Sequence, residues 1–209
     1  MTVIFDFDGT LADVIPVFKE IYHELSPRYG LRNVSDADYR QLRKKTAWEV
    51  VRWTGLKPWN FPGLLKHGRK LFAESKDQVK LYDGIPELIK TLHKNGYKLY
   101  ILSSNSESTI RSILNRYSLD DEVVVMKRPW FFGKAGSIKQ LVMRKKYDKQ
   151  TTWMVGDEVR DVRAGNKAGV QTISVTWGLQ DGEILKKQNP NHLASKVSEL
   201  SKILTSQNN

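Results

Sequence analysis

Apolar residues recur along this chain with two different periods. Thr2 to Phe5 is a short β-branched and aromatic run that stops at Asp6, as a buried strand would. From about residue 14 to 80 the apolar positions follow helical spacing instead: Val17, Ile21 and Leu25, then Leu42, Trp48, Val51 and Trp53, with no strand signal between them. Beyond Asp83-Gly84 the two patterns alternate. A helix through Leu88, Leu92 and Lys94 closes at Asn95-Gly96, and residues 97–102 form a second buried run. Helical spacing around Ile110 and Ile113 precedes a short strand at 123–125, and a helix with Ile138 and Leu141 precedes a strand at 152–155. A helix through Val162 and Ala168, a strand at 172–175 and a helix ending at Leu204 complete the pattern, with a polar, frayed tail at 206–209.

Strands separated by helices lie parallel and are covered on both faces, so the pattern predicts an α/β fold built on a doubly wound parallel sheet. The long helical stretch is then an insertion: residues 1–13 and 81–209 form the core domain and residues 14–80 a helical cap domain. Ligands bind such sheets beyond the carboxyl ends of the strands. Four of those ends carry reactive groups.

Composition narrows the chemistry. The chain of 209 residues is 40% apolar and 27% charged, ordinary globular material, and it contains no cysteine. Disulfides, thiolate metal sites and cysteine nucleophiles are therefore excluded, and any metal sits on oxygen or imidazole. No apolar run approaches the length needed to cross a bilayer, and the N-terminus turns acidic at Asp6 and Asp8, so a cytoplasmic location is expected. The 34 basic against 23 acidic residues give a net charge of +11, which attracts phosphate esters and nucleic acid alike.

The first strand ends in Asp6-Phe7-Asp8-Gly9-Thr10, two carboxylates two residues apart beside a glycine that permits a tight turn. The second ends in Leu102-Ser103, Phe132-Gly133-Lys134 opens a later helix, and the strand at 152–155 runs into Gly156-Asp157-Glu158-Val159-Arg160-Asp161. In type and order these four motifs resemble those of the haloacid dehalogenase superfamily, and the helical insertion resembles the cap of its phosphoglycolate phosphatase-like branch. The resemblance covers essentially the whole chain outside the insertion. It implies a phosphatase acting on a small phosphorylated metabolite, with Mg²⁺ as cofactor.

The residues fit that chemistry. Phosphoryl transfer needs positive charge, an aligned nucleophile and a proton donor for the leaving oxygen. Carboxylates at the ends of adjacent strands, Asp6 and Asp157, can converge on one hard cation. The resemblance adds the backbone carbonyl of Asp8 as a ligand, with Asp161 in or behind the first shell. It further implies that Asp6 is the nucleophile and Asp8 the acid and then the base, its pKa raised by neighbouring charge. Lys134 would touch both Asp6 and the phosphoryl group, and Ser103 would donate to a phosphoryl oxygen. Ser104, Gly9 and Thr10 join them as phosphate-binding candidates.

Each motif has a plainer reading. Asp6 and Asp8 could form a turn or helix cap, Asp157 and Asp161 could complement a helix dipole, and Ser103 could be a turn residue replaced by Ser104 or Asn105. Lys127 and Arg128 compete with Lys134. His23, His67, His93 and His192 lack metal-ligand spacing. The six tryptophans, Trp48, Trp53 and Trp59 among them, are expected to pack in the core and at the cap interface. The basic runs at 43–45 and 144–146 suit solvated helix faces, and Arg43, Lys44 or Arg52 could hold a second anionic group of a phosphoglycolate-like substrate. A sugar phosphomutase would pass the same aspartyl-phosphate to a second hydroxyl. A dehalogenase would lack the carboxylate at position 8, and a receiver domain would carry its acceptor aspartate on an interior strand. A nucleic-acid-binding module rests on charge alone, and no nucleic-acid or membrane partner is expected.

Overall fold

The opening apolar run forms β1 (Thr2–Phe5), buried along its whole length, in a computed structural model that describes residues 1–126 and 133–206. Its burial follows from its position, since it pairs in parallel with β4 (Lys98–Ile101) on one side and β6 (Thr152–Gly156) on the other. With β5 (Val124–Val125), β7 (Gln171–Val175) and β8 (His192–Ala194), the sheet has six strands in the order β5-β4-β1-β6-β7-β8, every pairing parallel. The connections are α5 (Ile85–Lys94) before β4, α6 (Glu107–Asn115) before β5, α7 (Gly133–Lys145) before β6, α8 (Val159–Ala168) before β7 and α9 (Gly182–Lys186) before β8. A last helix, α10 (Val197–Thr205), follows.

The two-residue period of β1 sends alternate side chains to opposite faces. Val3 and Phe5 join a core with Ile89, Ile113 and Leu200 of α5, α6 and α10, while Ile4 packs with Ile138 of α7 and Met154 and Ala164 on the other side. From β1 the chain builds outward through β4 to β5 and then crosses back to β6. The carboxyl ends of these three central strands therefore frame the point where strand order reverses, which is where such sheets bind ligands.

Between β2 (Ala12–Asp13) and β3 (Lys80–Leu81), which pair antiparallel, lie α1 (Ile15–Tyr29), α2 (Asp36–Leu42), α3 (Ala47–Trp53) and α4 (Phe61–Glu74). Capping boxes start two of them, Ser35 with Asp38 on α2 and Thr46 with Glu49 on α3. The helical segment thus leaves and re-enters the sheet region at one two-stranded ribbon. Its α1 and α4 pack together, with the Phe18 and Phe72 rings 5.4 Å apart.

The predicted alternation matches the observed elements, with three additions: the β2–β3 ribbon, α9 and the edge strand β8, all too short to show a period. Two expectations are corrected. Trp48 and Trp59 are 75% and 73% exposed, and among the described residues Trp48 stacks on Phe61 alone. The run at 43–45 follows α2 in a turn, so it is no helix face. Lys127 and Arg128, and tail residues 207–209, lie outside the described residues. Among the described residues no helix is long and apolar enough to cross a membrane.

Candidate active site

Asp6 is the first residue after β1, and its amide is held by the carbonyl of Val155 on β6 at 2.8 Å. Asp157 follows β6 directly, and Asp161 lies one turn into α8. Parallel pairing of β1 with β6 therefore delivers all three carboxylates to one place: their oxygens lie within 4.8 Å of one another, and all three residues are buried. Lys134, second residue of α7, reaches them from the neighbouring helix, with Nζ 2.9 Å from Asp6 Oδ2 and 2.5 Å from Asp161 Oδ1.

Most carboxylate oxygens in the cluster have a fixed donor. Asp157 Oδ1 accepts from the Thr10 hydroxyl at 2.6 Å and Oδ2 from the Leu179 amide at 2.7 Å. Asp161 Oδ2 accepts from the Glu158 amide at 3.1 Å in a capping box at the start of α8, so the residue caps its helix and also lies in the cluster. Asp6 Oδ1 accepts from the Phe7 amide at 2.9 Å, while Oδ2 is buried and, among the described residues, receives no well-directed hydrogen bond beyond its ion pairs with Lys134 and, more distantly, Arg160. Packing admits no slack. Gly9 has φ +81°, and a Cβ there would strike Asp157; one on Gly178 would strike Asp157 and the Gly9 carbonyl, and one on Gly156 would strike Asp161.

Burial, then the charges of Asp6 and Asp161, pushes the Asp157 carboxyl well above its ordinary range. Asp161 moves up for the same first reason, although Lys134 opposes it. Burial pulls the Lys134 ammonium down, but Asp161 and Asp6 outweigh it and leave it raised. Three carboxylates forced together against their own repulsion are a donor set that fits a divalent, oxygen-preferring cation.

Asp8 faces elsewhere. Its carboxylate accepts from the Ser103 hydroxyl at 3.0 Å and the Asn105 side-chain amide at 3.1 Å. Its pKa is raised to about 6, by burial first and by the charge of Asp6 second, so like charge is the smaller cause.

Several expected positions find different company. The Thr10 hydroxyl is wholly buried and spent on Asp157, and the Gly9 amide donates to the Ala12 carbonyl at 2.9 Å, so neither offers a phosphate contact here. Ser103 is turned to Asp8, while Ser104 is exposed. Arg43 donates to the carbonyls of Thr176 and Gly178 at 2.9 and 3.0 Å, and Lys44 lies 3.8 Å from Glu183 on the surface. Sequence reasoning missed Arg160, whose guanidinium is 2.5 Å from Glu158 and 3.9 Å from Asp6, and Gln180, which accepts from the Val159 amide and donates to the Lys45 carbonyl. These pairings leave no spacing signal.

The architecture is thus a parallel α/β sheet with a buried carboxylate cluster at its switch point and a helical segment between β2 and β3. A model of haloacid dehalogenase-like hydrolases matches residues 3–175, and the chain belongs to that family. Among similar proteins, the phosphoglycolate phosphatase of Synechococcus elongatus is 34% identical over 205 residues, covering 97% of this chain and 96% of its own length. Pyrophosphatase PpaX of Halalkalibacterium halodurans is 25% identical over 215 residues, covering 95% and 94%. In three dimensions the chain resembles a haloacid dehalogenase-like hydrolase from Streptococcus pneumoniae, with TM-score 0.80, 20% identity and 95% coverage of both chains. It also resembles a predicted phosphatase from Clostridium acetobutylicum, with TM-score 0.81, 21% identity and 98% coverage of both. These two likenesses speak for the fold.

Proposed function

We propose that the protein is a magnesium-dependent phosphatase that hydrolyses a small-molecule phosphomonoester through an aspartyl-phosphate on Asp6. The observation that carries this reading is the meeting of Asp6, Asp157 and Asp161 around one point with Lys134 beside them. In this reading residues 1–13 and 81–209 are the catalytic core and residues 14–80 a cap. Asp6, Asp157 and Asp161, with the Asp8 backbone carbonyl, hold Mg²⁺, which when bound supplies positive charge to the phosphoryl oxygens.

Asp6 Oδ2 is the attacking atom, because it is the carboxylate oxygen without a directed donor. Lys134 steadies it and meets charge on the phosphoryl group, assisted by Ser103 or Ser104. Thr10 and Gly9 act one layer back, by fixing Asp157 and admitting it. Asp8 protonates the leaving oxygen and then takes a proton from the water that cleaves the aspartyl-phosphate; a pKa near 6 suits both duties close to neutrality. Ser103 and Asn105 hold it in place.

Release of phosphate from a panel of monoesters, with Mg²⁺ and after chelation, tests this. Wild type with metal is expected to turn over, and Asp6→Asn to lose roughly 10⁴-fold or more in kcat while keeping its fold. Equal release by the variant would remove Asp6 from its role, and release indifferent to chelator would remove the metal.

A further inference from the structure

Asp8 also borders a cavity of about 590 Å³, within the range of small-molecule sites, enclosed by α1, α4 and the start of α6. Its α1 and α4 walls are mainly apolar, with Ile21 and Leu25 from α1 and Leu64 and Phe72 from α4, while Ser104, Asn105, Ser106 and Thr109 line the end near Asp8. Phe18 and Leu65 also line it while remaining 38% and 41% exposed, so hydrocarbon is presented to solvent beside the carboxylate. Among the described residues the wall carries one cation, the exposed Arg69. Arg43 is committed to backbone carbonyls, and neither it, Lys44 nor Arg52 reaches the cavity. A second anionic group lodged between α1 and α4, away from the polar end, would face hydrocarbon.

One wall position is open by composition. A Cβ on Gly68, in the middle of α4, would meet nothing nearer than Leu25 Cδ1 at 4.0 Å. Tight packing therefore does not demand this glycine, and its missing side chain enlarges the space.

We infer that this cavity receives the leaving group of the ester, and that the leaving group is an uncharged, largely apolar chain or ring. The inference rests on the phosphatase reading, which makes Asp8 the proton donor. As Asp6 Oδ2 forms its bond to phosphorus, the bond from phosphorus to the ester oxygen breaks with its electron pair left on that oxygen, and the Asp8 proton moves there. The ester oxygen must then sit beside Asp8, and whatever it carries extends into the space Asp8 borders. Water afterwards attacks the aspartyl-phosphate, losing its proton to Asp8 and releasing inorganic phosphate.

Primary alkyl phosphates from methyl to hexyl separate the possibilities, because their alcohols are nearly equal as leaving groups and differ in apolar length. With Mg²⁺, kcat/KM is expected to rise two- to fourfold per methylene until the cavity is filled, about fourfold being the value for full burial. Hexyl phosphate should exceed phosphoglycolate, and Gly68→Leu should lower the hexyl-to-methyl ratio by roughly tenfold. A flat series, or a preference for phosphoglycolate over hexyl phosphate, would overturn the apolar class and leave the phosphatase reading standing. If no ester turns over, the phosphatase reading itself fails, and calorimetry decides the cavity's fate. Hexylphosphonate bound more tightly than methylphosphonate, with the difference lost in Gly68→Leu, upholds an apolar ligand site; equal binding overturns it.

Discussion

Asp8 stands between two regions built on opposite principles. On one side Asp6, Asp157 and Asp161 are pressed together in full burial, nearly every oxygen has its donor, and three glycines admit no added atom. On the other, α1 and α4 hold a mainly apolar space, with Arg69 the one exposed cation on its wall among the described residues. Bonds to phosphorus are the same in every ester, so the machinery that makes them gains from rigidity. The group that departs differs between esters, and unspecific apolar contact with a spare volume tolerates that difference.

The contrast breaks first at the lysine. Lys134 is the buried cation in contact with Asp6 and Asp161, with Arg160 reaching the cluster only from a half-exposed position. Lys134→Met leaves those carboxylates uncompensated, which should destabilise the metal-free protein by roughly 3–5 kcal/mol. In denaturant unfolding Mg²⁺ should restore part of that, and kcat with metal should fall roughly 10²- to 10³-fold. Unchanged unfolding without metal would mean the cluster is less charged than its geometry implies.

The rigid region was the readable one. A parallel sheet brings every residue that follows a strand to one edge, so buried runs ending in Asp6, Ser103 and Asp157 disclose a site before any contact is known. Lys134 by itself looks like a solvated lysine, and only its place in the family resemblance, at the opening of a later helix, singles it out. The supporting bonds were not readable: Arg43 to Thr176 and Gly178 spans more than a hundred residues, and next to two lysines an arginine looks solvated. Thr10 follows a carboxylate pair and so looks like a phosphate ligand, yet full burial hands its hydroxyl to Asp157. The cavity left only helical periodicity. Its walls obey the spacing of ordinary packing, and nothing in Ile21, Leu25 or Phe72 distinguishes a wall from a core. For β8 the obstacle is length, three residues with Leu193 exposed.

Acidity sharpens the comparison next. The Asp8 carboxyl is raised from its ordinary 3.8 to about 6, and Asp157 and Asp161 shift the same way. A group with a raised folded pKa binds more protons folded than unfolded between the two values, so its stabilisation is present below the ordinary pKa and disappears as pH rises through the folded one. Asp8 alone implies a loss on the order of 3 kcal/mol between about pH 4 and pH 6 in metal-free protein. Glu158, pushed up to about 7 by burial, extends the decline toward neutrality. Mg²⁺ favours the ionised carboxylates, so its stabilisation should grow across that window. Thermal unfolding at several pH values with and without Mg²⁺ reads both slopes, and a metal-free midpoint that rises from about pH 5 to pH 7 would contradict the buried charge.

The smallest effect comes from the permissive side and has the opposite sign. At Gly9 a methyl group would collide with Asp157 at a backbone angle other residues avoid, whereas at Gly68 it would enter open space inside a regular helix. Glycine in a helix interior costs up to about 1 kcal/mol relative to alanine, mostly through the freedom it retains in the unfolded chain. Gly68→Ala should therefore raise stability by roughly 0.5–1 kcal/mol, measurable as a higher denaturant midpoint at unchanged slope. The methyl group takes volume from the cavity, so the same variant should lose some of wild type's preference for long over short alkyl esters, less than Gly68→Leu does. A stabilised protein with that preference intact would place Gly68 outside the leaving group's path, and a destabilised one would show that the space beside Leu25 is less open than the helix packing implies.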